Sequence, residues 1–298
     1  IGMGTMGWAD VYSQIRIPQD SEKAVEFADE LMEFISYHAI LNSSKLAKER
    51  GKYESYEGSK WSQGILPIDS YKQLIKWKKS KFLGSEGRMD WSKLREHVKK
   101  YGMRNANTMA IAPNASIAYQ LGCEQSIEPF FSMLFRYENK SGNYYITNHN
   151  FVNDMKAEGL WSSDFAEALK QTDGDVQQLN IPDKYKELYK TAFDRDQNKL
   201  IEATAARQKW IDQSISFNIY NGHTSLKFLN DVYLYSNDMC LKSTYYLRNR
   251  AASKIQKVAV DRIVLSNDNG HVSEVEETIT ACSVESMITG GTCEMCEG

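Results

Sequence analysis

The chain has 298 residues, 42% of them hydrophobic and 25% charged, with a formal net charge of −3. That length accommodates one large domain or two ordinary ones, and the mild acidity excludes a general nucleic-acid binder, which carries a basic surface. No apolar run approaches the roughly 18 residues of a membrane helix. Five cysteines in so long a chain are no disulfide scaffold, and no basic, apolar leader opens it, so the expected setting is a reducing cytoplasm.

Residues 1–7, Ile-Gly-Met-Gly-Thr-Met-Gly, read as glycine-punctuated strand entering a helix at Trp8-Ala9-Asp10-Val11-Tyr12. This has none of the look of a frayed domain start. Processing, trimming or a beginning inside a larger fold each account for it. The clearest helix spans 21–50: Asp20 or Ser21 caps it, and Ala24, Ala28, Leu31, Ile35 and His38 recur at steps of three or four. Lys45, Lys48 and Arg50 then precede Gly51, a stop signal. Further helices are expected at 70–79, 90–101, 147–158, 163–171, 182–194, 197–212 and 224–239. Short strands are expected at 108–112, 214–220 and 243–248. Helices alternating with short strands predict an α/β architecture with parallel strands. After about Val260 the composition shifts to Gly, Thr, Cys and Glu, with little to build a core. The expected division is therefore 1–260 as a folded body and 261–298 as a mobile tail.

Three features bear on chemistry. In the stretch from Arg104 to Ile117, an apolar strand ends at Pro113 and small residues open a helix. A helix start presents free N–H groups, and Asn114 and Ser116 add polar side chains, so the corner suits a phosphate. The same residues equally make a plain strand-to-helix turn with Asn114 or Ser116 as cap. Tyr245-Tyr246 is either ordinary strand packing or a relay. In a regular strand adjacent rings point to opposite faces, one inward and one outward; if the rings meet instead, the strand must end or bend there.

The third feature is Cys293-Glu294-Met295-Cys296 beside the carboxyl terminus. This spacing closes a small disulfide ring or shares a metal, and its position suits moving electrons. Cys282 and His271 supply enough ligands for zinc by count, but no second Cys-x-x-Cys exists, so no metal site is assigned. Cys123 and Cys240 read as small hydrophobes of the body. His38, His97, His149 and His223 lack partners at metal-ligand spacing.

Taken in order, several stretches resemble the large, catalytic subunit of class I ribonucleotide reductases. They are Gly2-Met3-Gly4 with Met6-Gly7; Lys60-Trp61-Ser62-Gln63-Gly64-Ile65-Leu66-Pro67; Met103 through Ala118; Ser126-Ile127-Glu128-Pro129; Arg207 through Ser216; Thr244-Tyr245-Tyr246-Leu247-Arg248; and the terminal Cys-x-x-Cys. The resemblance covers nearly the whole chain but only the carboxyl-terminal part of that subunit. It implies the second half of a ten-stranded α/β barrel plus a flexible redox tail.

By this resemblance Asn114, Ala115, Ser116 and Ile117 form the substrate-phosphate loop. Asn114 and Ile117 depart from its hydroxyl-rich pattern, which leaves the backbone donors but removes a side-chain donor at Ile117. Tyr246 receives a radical from a small, metal-bearing subunit, and Tyr245 passes it inward. Cys293 and Cys296 are the thiol shuttle, itself reduced by thioredoxin or glutaredoxin. The implied activity is reduction of ribonucleoside diphosphates, with no cofactor in this chain. The family's radical cysteine, its Asn and Glu and its redox pair belong upstream, so an amino-terminal piece is an expected partner. A non-catalytic remnant that only docks the radical subunit or thioredoxin is the alternative.

Overall fold

The computed structural model describes residues 1–81, 83–139, 142–222 and 225–249. Ten helices and four named strands lie among them: α1 Trp8–Gln14, α2 Glu22–Arg50, α3 Pro67–Lys78, α4 Trp91–Tyr101, α5 Ala115–Leu121, β1 Leu134–Asn139, β2 Gly142–Thr147, α6 His149–Ala157, α7 Ser163–Gln171, α8 Asp183–Leu188, α9 Gln197–Gln208, β3 Ile219–Asn221, α10 Leu226–Asp238 and β4 Leu247–Asn249. No helix of the described residues is long and apolar enough to cross a membrane. The expected division at 260 falls outside the described residues.

Local chemistry sets the helix ends. The Ser21 hydroxyl accepts the Ala24 N–H at 3.2 Å and Gly51, at φ 82°, stops α2. α3 starts before the expected 70. Pro67 takes a first-turn position where no N–H is needed, and the Asp69 carboxylate accepts the Leu66 N–H at 2.8 Å. α8 ends at Leu188, well short of 194. The buried Arg195 guanidinium takes the Leu188 carbonyl at 2.8 Å, and the Ala192 N–H turns to Phe130 O at 2.8 Å. α9 likewise ends at Gln208 rather than 212, as the chain turns into the next extended segment.

Four extended segments run parallel. Met3 bridges Met109, and Ile111 bridges Ile215. The segment from Gln213 continues to β3, which pairs with β4 in the register Ile219↔Leu247. Helices α1–α4 connect the first pair, and α10 connects β3 to β4. The α/β reading with parallel strands is therefore what the chain adopts, although 108–112 contributes single bridges rather than a continuous strand. Gly4 permits the first contact: a Cβ there would sit 2.7 Å from the Ala110 carbonyl. The antiparallel hairpin of β1 and β2, registered Leu134↔Thr147, was not expected. Its signal was present in aromatic runs flanking Asn139-Lys140-Ser141-Gly142.

The main core gathers α2, α4 and α9, with Trp91 and Trp210 stacked at 5.3 Å. A second core joins Phe130, Phe151, Met155, Leu169, Leu188 and Tyr189. α2 also carries a buried polar cluster. Lys209 Nζ meets Asp29 Oδ1 at 2.7 Å, and the same carboxylate accepts from Trp210 Nε1, Ser85 N and Arg88 Nη1. Glu33 accepts from Met89 N and Trp91 Nε1, both at 2.9 Å. These carboxylates fasten the irregular segment leading into α4 onto α2.

Candidate functional site

Tyr245 and Tyr246 do not point to opposite faces. Their ring centroids lie 4.0 Å apart, and the Tyr245 hydroxyl donates to the Tyr246 hydroxyl at 3.1 Å. Both rings are about half exposed, at 48% and 42%. The backbone explains the departure. Ile219 N–H donates to Tyr246 O at 2.9 Å, and the β3–β4 register would give Phe217 O the N–H of Tyr246. Instead Phe217 O takes the Tyr245 N–H at 2.7 Å, and the Tyr246 N–H goes to Asn218 Oδ1 at 3.1 Å. Two residues thus stand opposite one, a β-bulge just before β4, and a bulge re-aims side chains. The bend required by meeting rings is therefore present. The bond to Tyr246 raises the Tyr245 phenol above its usual value. The Arg248 guanidinium stands 4.9 Å from the centre of the Tyr246 ring.

The Asn114–Ile117 corner forms as a tight entry to α5. Asn114 takes the N-cap position, one of the two expected, at φ 57°, a left-handed conformation that asparagine tolerates, but its side chain makes no cap bond. Ala115, Ser116 and Ile117 are exposed, and the first turn of a helix leaves their N–H groups outside the ladder. Ala115 lines a cavity of about 520 Å³ together with Tyr119, Glu124, His149, Tyr220 and Arg248. The corner and the strand bearing the tyrosines therefore share one cavity at the carboxyl ends of the parallel segments. A second cavity of about 470 Å³ lies at their amino ends, with Lys60, Trp61, Asn107, Asp212 and Lys242 in its wall. There burial lowers the Lys242 amine to about 8.

Beneath the tyrosine strand lie residues whose roles the sequence did not suggest. Glu128, 3% exposed, accepts the Tyr220 hydroxyl at 2.7 Å. Burial pushes its carboxyl up to about 7, opposed by Tyr220 and by the Asn218 backbone and side chain. Glu128 stood in a quoted motif, but nothing local marked it as buried against a tyrosine. Cys240 is buried as expected, whereas Cys123 is only half-buried. His97 Nδ1 lies 2.9 Å from Ser44 Oγ, and His38 packs on Phe34. Among the described residues no group of His, Cys, Asp and Glu is placed to hold a metal ion. Cys282, Cys293, Cys296, His223 and His271 lie outside the described residues.

The family model for the barrel domain of ribonucleotide reductase matches residues 1–247. The chain belongs to this family. The ribonucleoside-diphosphate reductase subunit alpha of Chlamydia pneumoniae is 40% identical, over 100% of this chain but 29% of that protein. Large chain 2 of the same enzyme from Saccharomyces cerevisiae is 35% identical, over 93% of this chain and 31% of the relative. The chain thus spans under a third of the length of these two relatives. Among solved structures, the Actinobacillus ureae class Id ribonucleotide reductase alpha subunit superposes with a TM-score of 0.63 at 28% identity, covering 84% of this chain and 39% of that one. The ribonucleotide reductase barrel assignment fits the parallel segments, and it places the tyrosine pair and the α5 corner within the matched span.

Proposed function

We propose that the chain is the carboxyl-terminal catalytic portion of a ribonucleoside-diphosphate reductase large subunit, converting ribonucleotides to deoxyribonucleotides by radical chemistry. The observation that carries this reading is the Tyr245–Tyr246 hydroxyl contact at 3.1 Å, inside a chain of this family. A radical on Tyr246 takes one electron and one proton from Tyr245 along that hydrogen bond, which leaves Tyr246 reduced and the radical on Tyr245. The source of the radical is a separate small subunit bearing a metal-radical cofactor. The N–H groups of Ala115, Ser116 and Ile117, with Asn114 at the entry to α5, receive the substrate diphosphate. Cys293 and Cys296 carry reducing equivalents from thioredoxin or glutaredoxin by disulfide exchange. An amino-terminal portion of the subunit supplies the radical cysteine, the assisting Asn and Glu and the disulfide that the shuttle reduces. The reaction belongs to the cytoplasm, where its nucleotides are.

The test is Tyr246→Phe and Tyr245→Phe in the assembled enzyme. Each removes the phenolic proton and almost no volume, so each is expected to abolish turnover while leaving nucleotide binding intact. Turnover equal to that of the unsubstituted enzyme contradicts the reading.

A further inference from the structure

A radical relay between adjacent residues has a geometric difficulty, because a regular strand would separate the two rings across the sheet. Here the rings meet because the strand bulges, and the bulge has an identifiable support. The Tyr246 N–H, displaced from Phe217 O, would be left without its ladder partner; Asn218 Oδ1 receives it at 3.1 Å. Asn218 is 3% exposed, so its side chain has little room to turn away. Further along the same strand Tyr220 donates its hydroxyl to the buried Glu128 at 2.7 Å. Tyr220 in turn stands opposite Arg248 in the ladder, and Arg248 covers the Tyr246 ring. Asn218 and Arg248 thus both contact Tyr246, one at its backbone and one at its ring.

We propose that Asn218 is a positioning residue for the tyrosine pair: its buried side-chain oxygen holds the bulge open by accepting the Tyr246 N–H. The functional weight of this inference rests on the radical-relay reading of Tyr245 and Tyr246, but its structural content stands without it. Without the Asn218 oxygen the Tyr246 N–H has no acceptor in the bulge, and the strand relaxes to the regular register, in which Phe217 O takes the Tyr246 N–H. Alternation then sends Tyr245 and Tyr246 to opposite faces, and their hydroxyl contact breaks.

Asn218→Ala removes the bulge partner, whereas Asn218→Asp keeps a side-chain oxygen at the same place and is expected to preserve the arrangement. Crystal structures of the variant chains read the geometry. In Asn218→Ala the Tyr245–Tyr246 hydroxyls are expected to separate beyond hydrogen-bond distance, while in Asn218→Asp they remain paired. In the assembled enzyme Asn218→Ala is expected to lower kcat at least tenfold with the KM for the nucleotide unchanged, and Asn218→Asp to recover most of that loss. A tyrosine pair that stays hydrogen-bonded in Asn218→Ala overturns the inference whatever the activity. Separated rings with full kcat in Asn218→Ala overturn its functional half, and full activity of Tyr246→Phe overturns the relay reading itself. If Asn218→Ala fails to fold, Asn218→Leu, close in volume but without the oxygen, decides the matter.

Discussion

At the residue scale, the chemistry depends on where a few polar groups find partners. Glu128 faces Tyr220 and Asn218, with the charges of Arg248, Arg207 and Glu124 also acting on it or within its reach. Its folded carboxyl holds a proton up to about pH 7, against an ordinary value of 4.5. Between those values the unfolded chain has released that proton and the folded chain has not. The unfolded state therefore binds fewer protons, and stability falls as pH rises through the window. Glu128→Gln removes this contribution. Urea denaturation of both chains from pH 4.5 to 7.5 is expected to show a shallower decline for the variant, and parallel curves would contradict the assigned burial. The identity of Glu128 as a motif residue was legible in the sequence. Its pairing with Tyr220 was not, because 92 residues separate them and only the parallel segments bring them together.

The element scale shows which signals survive folding. The long helix α2 keeps the cap and glycine stop read from 21–51, since these are local, but of the stripe read at Ala24, Ala28, Leu31, Ile35 and His38 only the two alanines are buried, and Met32, Ser36 and Ile40 continue the buried face. Elements set by distant partners depart from the local pattern. α8 stops where Arg195 captures a carbonyl, and the tyrosine strand bulges where Asn218 intrudes. The fastening of the segment before α4 is of the same kind. Asp29 is fully buried and holds Lys209, Trp210, Ser85 and Arg88 at once. Removing one member of a buried ion pair strands the other charge, at a cost of about 3–5 kcal/mol. Asp29→Ala is therefore expected to lower the unfolding free energy by about that amount in chemical denaturation. A loss under ~1 kcal/mol, the range of exposed pairs, would show that the cluster is not buried in solution.

For the whole molecule, the parallel segments and their connecting helices place two features at one end: the α5 corner, through Ala115, and the tyrosine strand, through Arg248. The ordered motifs made this family and fold legible before any geometry, and those at Met103–Ala118, Arg207–Ser216 and Thr244–Arg248 run through parallel segments. The side-by-side placement of the tyrosines was not legible, since a bulge has no fixed sequence mark. The chain also spans under a third of the two large-subunit relatives described above. On the proposed reading the chain supplies part of an active site that an amino-terminal portion completes. The most direct test is reduction of a ribonucleoside diphosphate by this chain with the radical-bearing small subunit and thioredoxin, with and without that portion. The account predicts deoxyribonucleotide only when the amino-terminal portion is present. Turnover by the chain in its absence, or none in its presence, would contradict it.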